Sequence, residues 1–152
     1  MDIRKAGLED LEIIVPLFDA YRQFYKQASD LPKARAYLRE RLTRSQADIF
    51  LCLSEGRADG FTLLYPTFCS VSAAPTFVLY DLFVREPARR KGVGEALLRT
   101  AQEHARESGA AWLKLETAVD NTPAQALYEK LGWERDTDFF TYNFVPPPAE
   151  HA

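Results

Sequence analysis

The feature that most constrains the fold is an almost continuously apolar segment, residues 77–84, followed closely by a basic, glycine-containing turn and an amphipathic helix. An uninterrupted run of β-branched, aromatic and aliphatic residues is typical of a strand that is buried on both faces. The helix begins near Gly92 and carries its apolar residues at helical spacing as far as Ser108. A buried strand that leads into such a helix predicts a sheet with helices packed on it.

The turn between this strand and the helix has the composition of an anion-binding site. Gly92 and Gly94 permit backbone conformations in which successive N–H groups converge on one point. The N-terminus of the helix adds partial positive charge, and Arg89, Arg90 and Lys91 add full charges. The turn therefore predicts a cradle for a pyrophosphate.

Two familiar phosphate-binding turns are excluded by the residues that follow. A Walker turn requires Gly-Lys-Ser/Thr, whereas Gly94 is followed by Glu95. The dinucleotide fingerprint requires glycine or alanine at its third glycine position, where Leu97 stands. By itself the turn predicts an anion at a helix start without identifying the anion.

Hydrophobic periodicity and turn residues predict the other elements. Strands are predicted at residues 3–6, 48–54, 61–68, 76–85 and 112–117, with one or two more within 133–145. Helices are predicted at residues 8–26, from 32 through 42, at 92–108 and from 122 to 131. This order predicts an α/β fold in which a mixed sheet carries helices on both faces.

Two prolines and one histidine predict local features of the structure. Pro16 falls inside the first helical pattern and is expected to kink or interrupt that helix. Pro66 predicts that the far end of its strand lies at a sheet edge or a bulge. His104 lies in the middle of the 92–108 helix, where we expect an exposed side chain.

Composition narrows the class of protein. The 152 residues fit one domain, expected at residues 1–145, with a flexible proline-rich tail at 146–152. A net charge of −3 gives no reason to expect nucleic acid or an anionic membrane as a partner. Cys52 and Cys69 lack the spacing of a metal site, so no metal is expected. The sequence shows no signal peptide and no run long enough to cross a bilayer, which predicts a cytoplasmic protein.

At two places the sequence resembles the GNAT superfamily of acyl-CoA-dependent N-acetyltransferases. The first is the R-x-x-G-x-G hallmark, present as Arg89-Arg90-Lys91-Gly92-Val93-Gly94. The second is an N-x-x-A-x-x-L-Y-E-K-L-G-F-like run, present as Asn121-Thr122-Pro123-Ala124-Gln125-Ala126-Leu127-Tyr128-Glu129-Lys130-Leu131-Gly132-Trp133. The resemblance is nearest to the diamine and histone/polyamine acetyltransferase type.

The resemblance implies a fold, a co-substrate and a set of binding residues. It implies a mostly antiparallel sheet of six to seven strands whose central strand and 112–117 strand splay apart, with about four flanking helices. It implies acetyl-CoA as co-substrate. The implied cofactor-binding residues are Leu82, Phe83, Val84, Arg89, Arg90, Lys91, Gly92, Val93, Gly94, Asn121, Ala124 and Tyr128.

The resemblance also implies that Tyr128 is the general acid that protonates the leaving thiolate. A tyrosine, with a reference pKa of about 10, is a reasonable donor to a thiolate whose conjugate acid has a pKa of about 8.5. The base is less clearly assigned, because the acidic residue that the diamine acetyltransferases place before Asp81 is replaced here by Tyr80. Tyr80 would act through an ordered water, whereas Asp81 would bind the substrate ammonium or cap a loop.

A buried carboxylate within an apolar strand requires a reason, which makes Asp81 a candidate site residue. Simple strand alternation puts Asp81 on one face with Leu79 and Phe83, opposite Tyr80 and Leu82.

Other candidate acceptor-binding residues are Glu116, at the end of the next strand, and Tyr25, which the resemblance places over the acceptor pocket. Tyr21, Phe24 and Asp30 are implied to lie over the same pocket, with most of these aromatic residues in the core.

Three functions are compatible with these residues. The first is an acetyltransferase for a small primary amine such as a polyamine, an amino acid or a lysine analogue. The second is an acetyltransferase for protein N-termini or lysine side chains, and the third is a non-catalytic acyl-CoA-binding module. The resemblance, together with the aromatic segment 138–144, also predicts a homodimer formed through the last strands.

Overall fold

The computed structural model describes residues 1–149, which form two compact units, residues 1–116 and the residues from 117 onward. The strands are β1 (Asp2–Lys5), β2 (Asp48–Ser54), β3 (Arg57–Cys69), β4 (Ala74–Val84) and β5 (Leu113–Lys114). The α-helices are α1 (Leu11–Phe24), α2 (Leu31–Thr43), α3 (Val93–Glu107) and α4 (Thr122–Lys130), and short 3₁₀ turns stand at Leu8–Asp10 and Glu86–Ala88. The predicted single domain over residues 1–145 stays a prediction.

The first unit is a five-stranded mixed sheet in the order β1-β2-β3-β4-β5. Neighbouring strands are antiparallel except β4 and β5, which are parallel. Helices α1 and α2 cover one face, where Ile14 and Leu38 meet the fully buried Ile49, Phe61 and Leu63 of the sheet. Helix α3 packs on β2, β3 and β4. The predicted α/β class with flanking helices is confirmed.

Helix α1 continues through Pro16, so of the predicted kink or interruption the interruption does not occur. Pro16 lies in the second turn of the helix, where its ring removes one backbone hydrogen bond. The residues on either side of it, Ile14, Val15, Leu17 and Phe18, are buried against the sheet. This burial stabilises the helix across the proline.

Strand β3 confirms the expectation for Pro66. The pairing of β2 with β3 ends at Asp48 and Leu64, whereas β3 continues to Cys69. Pro66 therefore lies where β3 is paired with β4 and not with β2, and at such an edge a strand tolerates a residue without an N–H.

The sheet has five strands in the described residues, so the expectation of six to seven strands is wrong. None of residues 133–149 forms a strand, and β5 spans only two residues instead of the predicted 112–117. The Asp136 carboxylate accepts a hydrogen bond from the Asp138 backbone N–H at 2.8 Å, a local contact that competes with strand pairing. Alternating aromatic residues favour a strand, but a strand also requires a neighbouring strand with which its backbone can form hydrogen bonds.

His104 is half-buried rather than exposed, which corrects the expectation for the middle of α3. Its Nε2 lies 3.0 Å from Asp48 Oδ2, and its ring centroid is 5.1 Å from those of both Phe50 and Phe77. The ring therefore lies between α3 and the sheet. Among residues 1–149, no helix is long and apolar enough to cross a membrane.

We predict that Gly60→Ala destabilises the first unit, because β4 and α3 both lie close to Gly60 and leave no room for a Cβ. A Cβ on Gly60 would lie 2.8 Å from the Phe83 carbonyl oxygen and 3.1 Å from Val93 Cγ1. The expected loss in the free energy of unfolding is about 1–3 kcal/mol, measured by urea denaturation. Gly94→Ala is the matched control, since its Cβ would be 3.9 Å from Val84 Cγ2; equal stability of the two variants would contradict the close approach.

Candidate active site

Strand β4 has an edge that β5 covers only in part. The parallel pairing of the two strands joins Phe77 to Leu113 and Val78 to Lys114. Strand β4 then continues to Val84, and in the described residues no strand pairs with this edge beyond Val78. This separation agrees with the splay that the sequence resemblance implied.

The open edge presents backbone carbonyls. A Cβ on Gly60 would lie 2.8 Å from the Phe83 carbonyl oxygen, so that carbonyl points toward β3. Because carbonyls alternate along a strand, those of Leu82 and Val84 face the open edge. Arg89 Nε donates a hydrogen bond to the Val84 oxygen at 2.8 Å. An extended ligand can pair with such an edge as an added strand does.

The turn after β4 has the backbone geometry of an anion cradle. Arg90 and Gly92 both have positive φ, 65° and 82°, and Gly92 is the N-cap of α3 without a side chain to cap it. Alternation between left- and right-handed residues directs neighbouring N–H groups into one concavity. A Cβ on Gly92 would meet no atom within 4 Å, so it is the positive φ that favours glycine here.

The charged side chains of this turn have two different placements. Arg90 and Lys91 are exposed, and Val93 is buried and anchors the first turn of α3. Arg89 runs along β4, with its guanidinium carbon 5.6 Å from the ring centroid of Phe83. The residues present fit a diphosphate ligand such as the pyrophosphate of coenzyme A.

A β-bulge interrupts the pairing of β4 with β3. Leu63 lies opposite Asp81, and the next residue, Leu64, lies opposite Leu79. Tyr80 is therefore the extra residue on β4. Such a bulge changes which side chains face each side of the sheet.

The bulge directs Tyr80 and Asp81 to the same face of the sheet, the one that α1 and α2 cover. The Tyr80 ring centroid is 5.4 Å from that of Tyr65, whose hydroxyl contacts the hydroxyl of Tyr37 on α2. The Tyr21 hydroxyl on α1 donates a hydrogen bond to the Tyr80 backbone oxygen at 3.4 Å, and it lies near Asp81. Two consecutive residues of one strand thus contribute to a single site.

This arrangement corrects the prediction from simple alternation, which grouped Asp81 with Leu79 and Phe83 and separated it from Tyr80. Leu79 precedes the bulge and lies on the same face of the sheet as Phe77. The ring of Phe77 packs against His104 of α3. Phe83 follows the bulge and does share the face of Asp81. The prediction is therefore wrong for Leu79 and Tyr80, because alternation shifts by one residue at a bulge.

The Asp81 carboxylate is almost removed from solvent, with 3% of the residue exposed. Burial raises the pKa of Asp81 from 3.8 to about 6, because the charged form loses its hydration. The Tyr21 hydroxyl has the smaller, opposite effect and lowers the pKa of Asp81. Asp81 therefore titrates close to the physiological range.

The other buried carboxylates of the first unit have partners in the protein. Asp19 accepts three hydrogen bonds, from Gln23 Nε2, Ser29 Oγ and the Asp30 backbone N–H. Asp10 forms an ion pair with Arg4 at 2.6 Å, and Asp59 forms one with Arg85 at 2.6 Å. Asp81 takes part in none of the ion pairs within residues 1–149. A buried carboxylate that lacks a cationic partner in the protein is suited to a cationic ligand.

Aromatic side chains surround this carboxylate. Tyr25, predicted to bind the acceptor, lies with its ring centroid 5.1 Å from that of Tyr21. Phe24, Tyr25 and Tyr80 are each more than 60% exposed, so the aromatic surface beside Asp81 is open to solvent. Tyr21, which the resemblance also implied to lie over the acceptor pocket, packs its ring against Phe61 and Phe83. The sequence contains no signal that its hydroxyl meets the Tyr80 carbonyl.

The other predicted site residues lie in or near the second unit. The Asn121 side-chain oxygen accepts the Ala124 backbone N–H at 3.4 Å and caps α4. Tyr128 is half-buried on α4, with its ring centroid 6.0 Å from that of Trp133. Glu116 is exposed at the end of the first unit. Their roles in a reaction stay predictions.

We predict that Asp81→Asn changes how stability depends on pH. Because the pKa of folded Asp81 is raised to about 6, the wild type is stabilised by the protonated carboxyl below about pH 4 and loses that contribution as the pH rises through 6. The wild type should therefore lose about 3 kcal/mol relative to the variant between pH 4 and pH 8. Urea denaturation of both proteins across this range measures the difference in their free energies of unfolding. A difference that does not change with pH would contradict a buried Asp81 without a cationic partner.

A family model and several curated relatives match this chain. Residues 14–133 match the model described as "Acetyltransferase (GNAT) family". An uncharacterized N-acetyltransferase of Bacillus subtilis, YhfO, is 46% identical over 142 residues, which cover 93% of this chain and 95% of the relative. The L-ornithine N5-acetyltransferase NATA1 of Arabidopsis thaliana is 36% identical over 73 residues, 48% of this chain and 32% of the relative.

Solved structures match as well. A crystal structure of a probable acetyltransferase has a TM-score of 0.91 and 39% sequence identity, and the match covers 99% of this chain and 100% of that one. The two sequence motifs, the cradle at the start of α3 and the open edge of β4 agree with these matches. The chain belongs to the GNAT family of acetyltransferases, and it is an acyltransferase enzyme.

Proposed function

We propose that the protein transfers an acetyl group from acetyl-CoA to the primary amine of a small molecule by direct attack within a ternary complex. The observation that carries the proposal is the combination, in one compact unit, of a diphosphate cradle, an open strand edge and a buried carboxylate without a cationic partner. The first two features suit the donor, and the third suits an ammonium group.

The donor is held by backbone groups in this proposal. The N–H groups of residues 91–94 bind the pyrophosphate, and the edge groups of Leu82 and Val84 pair with the pantetheine arm. The carbonyl of Phe83, the third residue that the resemblance implied, points toward β3 instead. Bound acetyl-CoA supplies a thioester whose leaving group is a thiolate. Arg89 Nε donates to the Val84 oxygen, which has a second lone pair for an N–H of the pantetheine arm.

The acceptor amine is held and deprotonated beside Asp81. An amine arrives at neutral pH as an ammonium ion, and the buried carboxylate attracts it and accepts its proton before attack. A carboxylate with its pKa raised to about 6 is a stronger base than an ordinary aspartate and is still ionised at pH 7. Tyr80, exposed beside Asp81, passes the proton to solvent through water.

The remaining predicted residues complete the proposal. Tyr128 donates a proton to the departing thiolate, and Asn121 and Ala124 line the thiol end of the donor. Tyr25 and Glu116 contact parts of the acceptor other than its amine. None of these roles requires a metal ion.

The depth of Asp81 favours a small or slender acceptor over a folded protein surface. With 3% of Asp81 exposed, an amine reaches the carboxylate only on a narrow alkyl chain. One partial relative is named an L-ornithine N5-acetyltransferase, whose acceptor is also a small amine. A polyamine, an amino acid or a lysine analogue meets this requirement.

We predict saturable binding of acetyl-CoA by calorimetry and thiol release when small primary amines are added. A panel of spermidine, ornithine, lysine and lysine-containing peptides tests the acceptor, with released thiol as the readout. Asp81→Asn is the control, and it should bind acetyl-CoA normally while turning over about 10²-fold more slowly. Turnover of peptides alone would contradict a small-molecule acceptor. Absence of acyl-CoA binding would contradict the proposed acetyl transfer as a whole.

We predict that Tyr128→Phe lowers kcat by about 10²-fold while the Kd for acetyl-CoA is unchanged, because only the proton donor is lost. Tyr142→Phe, at an exposed tyrosine of the same unit, serves as the control and should keep wild-type kcat. If both variants turn over at the wild-type rate, Tyr128 is not the general acid.

We further propose that the protein is a homodimer that associates through residues 138–145. The side chains of Phe139, Phe140, Tyr142 and Phe144 are each more than 80% exposed, and these apolar rings gain by burial against a second copy. Light scattering at micromolar concentration is expected to give twice the mass of the 17.3 kDa chain. A monomeric mass would contradict the dimer.

A further inference from the structure

The side chain of Arg89 lies on the face of the sheet that α1 covers. Its guanidinium carbon is 5.6 Å from the ring centroid of Phe83 and 5.9 Å from that of Phe24 on α1. The two ring centroids are 6.3 Å apart. Since Phe83 also packs against Tyr21 of α1, these contacts are on the same side of β4 as Asp81.

A hydrogen bond to the end of β4 restricts the orientation of this guanidinium. Arg89 Nε donates to the Val84 backbone oxygen at 2.8 Å, a bond that the positive charge strengthens. Because Nε belongs to the planar guanidinium, the bond orients that plane beside the two rings. A flat, weakly hydrated guanidinium stacks on aromatic rings better than an ammonium group does. The contact therefore depends on arginine itself and not only on a positive charge.

The end of α1, which Arg89 contacts, is exposed. Phe24 is the last residue of the helix and is 64% exposed, and Tyr25, which follows it, is 61% exposed. The centroids of these two rings are 5.4 Å apart. A cation beside the C-terminal turn of a helix is also favoured by the helix dipole. Arg89 therefore joins the end of β4 to an exposed turn of α1.

We propose that Arg89 is a positioning residue for the acceptor, because its guanidinium holds Phe24 and, through that ring, Tyr25. The charges that serve the pyrophosphate are then those of the next two residues of the turn, whose side chains are exposed. The effect on acceptor binding rests on the proposed function, whereas the contact of Arg89 with Phe24 does not.

The contact is tested without substrate by ¹H–¹⁵N NMR of the Arg89 Nε–H group, with its signal assigned by its loss in Arg89→Lys. Phe24→Leu removes a ring beside this group and should shift the signal, because the ring current is lost. Phe68→Leu is the control, since its 83% exposed ring lies at the opposite end of the β3–β4 pair, and it should leave the signal unchanged. An unchanged signal in Phe24→Leu overturns the proposal.

The role in the reaction is tested with Arg89→Gln, which removes the guanidinium. The KM for the best acceptor of the panel should rise about 5-fold, whereas the Kd for acetyl-CoA should stay within about twofold of the wild type. Arg90→Gln, at the next residue, is the matched control and should weaken acetyl-CoA binding without raising the KM for the acceptor. Arg89→Lys should raise this KM as Arg89→Gln does, because an ammonium keeps the charge without the flat surface.

Two results of the kinetic test would overturn the proposal. Weaker acetyl-CoA binding in Arg89→Gln with an unchanged KM for the acceptor would mean that the side chain serves the pyrophosphate. A lower kcat with both the KM and the Kd unchanged would mean that Arg89 has only a structural role. If the wild type transfers no acetyl group, the proposed function fails, and the NMR signal still decides whether Arg89 contacts Phe24.

Discussion

The site depends on the β-bulge at Tyr80. Without the extra residue, strand alternation would direct Tyr80 and Asp81 to opposite faces of the sheet, and only one of them would meet α1 and α2. With it, the pairing shifts between Leu63 and Leu64, and both side chains lie on the face covered by aromatic residues. The Asp81 carboxylate is buried there outside the ion pairs of residues 1–149, so the site remains able to attract a cation.

The donor side of the first unit depends on a different constraint, the close approach of α3 to β3 at Gly60. The small residue allows Val93 and Leu97 to pack on the strand, and this packing fixes the start of α3 beside the end of β4. The turn with positive φ at Arg90 and Gly92 then lies directly after the open edge of β4. Because the backbone makes both features, they depend on glycine positions and strand lengths more than on charged side chains.

Much of the fold was predictable from local patterns. The bounds of β2 agree with the prediction, and α3 begins after Gly92, because periodicity and helix-start residues act over a few positions. Asp30, implied to lie over the acceptor pocket, caps α2 instead. The number of strands was not predictable in the same way. Residues 133–145 have the composition of a strand, but a strand forms only when another backbone lies alongside it.

The sequence by itself determined the family, the anion-binding turn and the candidate carboxylate, because these are encoded in residue types at fixed short spacings. Only the tertiary structure decided which side chains meet Asp81. The bulge that brings Tyr80 to its side depends on the pairing of β3 with β4, and the contact of Tyr21 with the Tyr80 carbonyl depends on the packing of α1. A long-range register of this kind leaves no mark on local hydrophobic periodicity, since Tyr21 has the same spacing as a core residue.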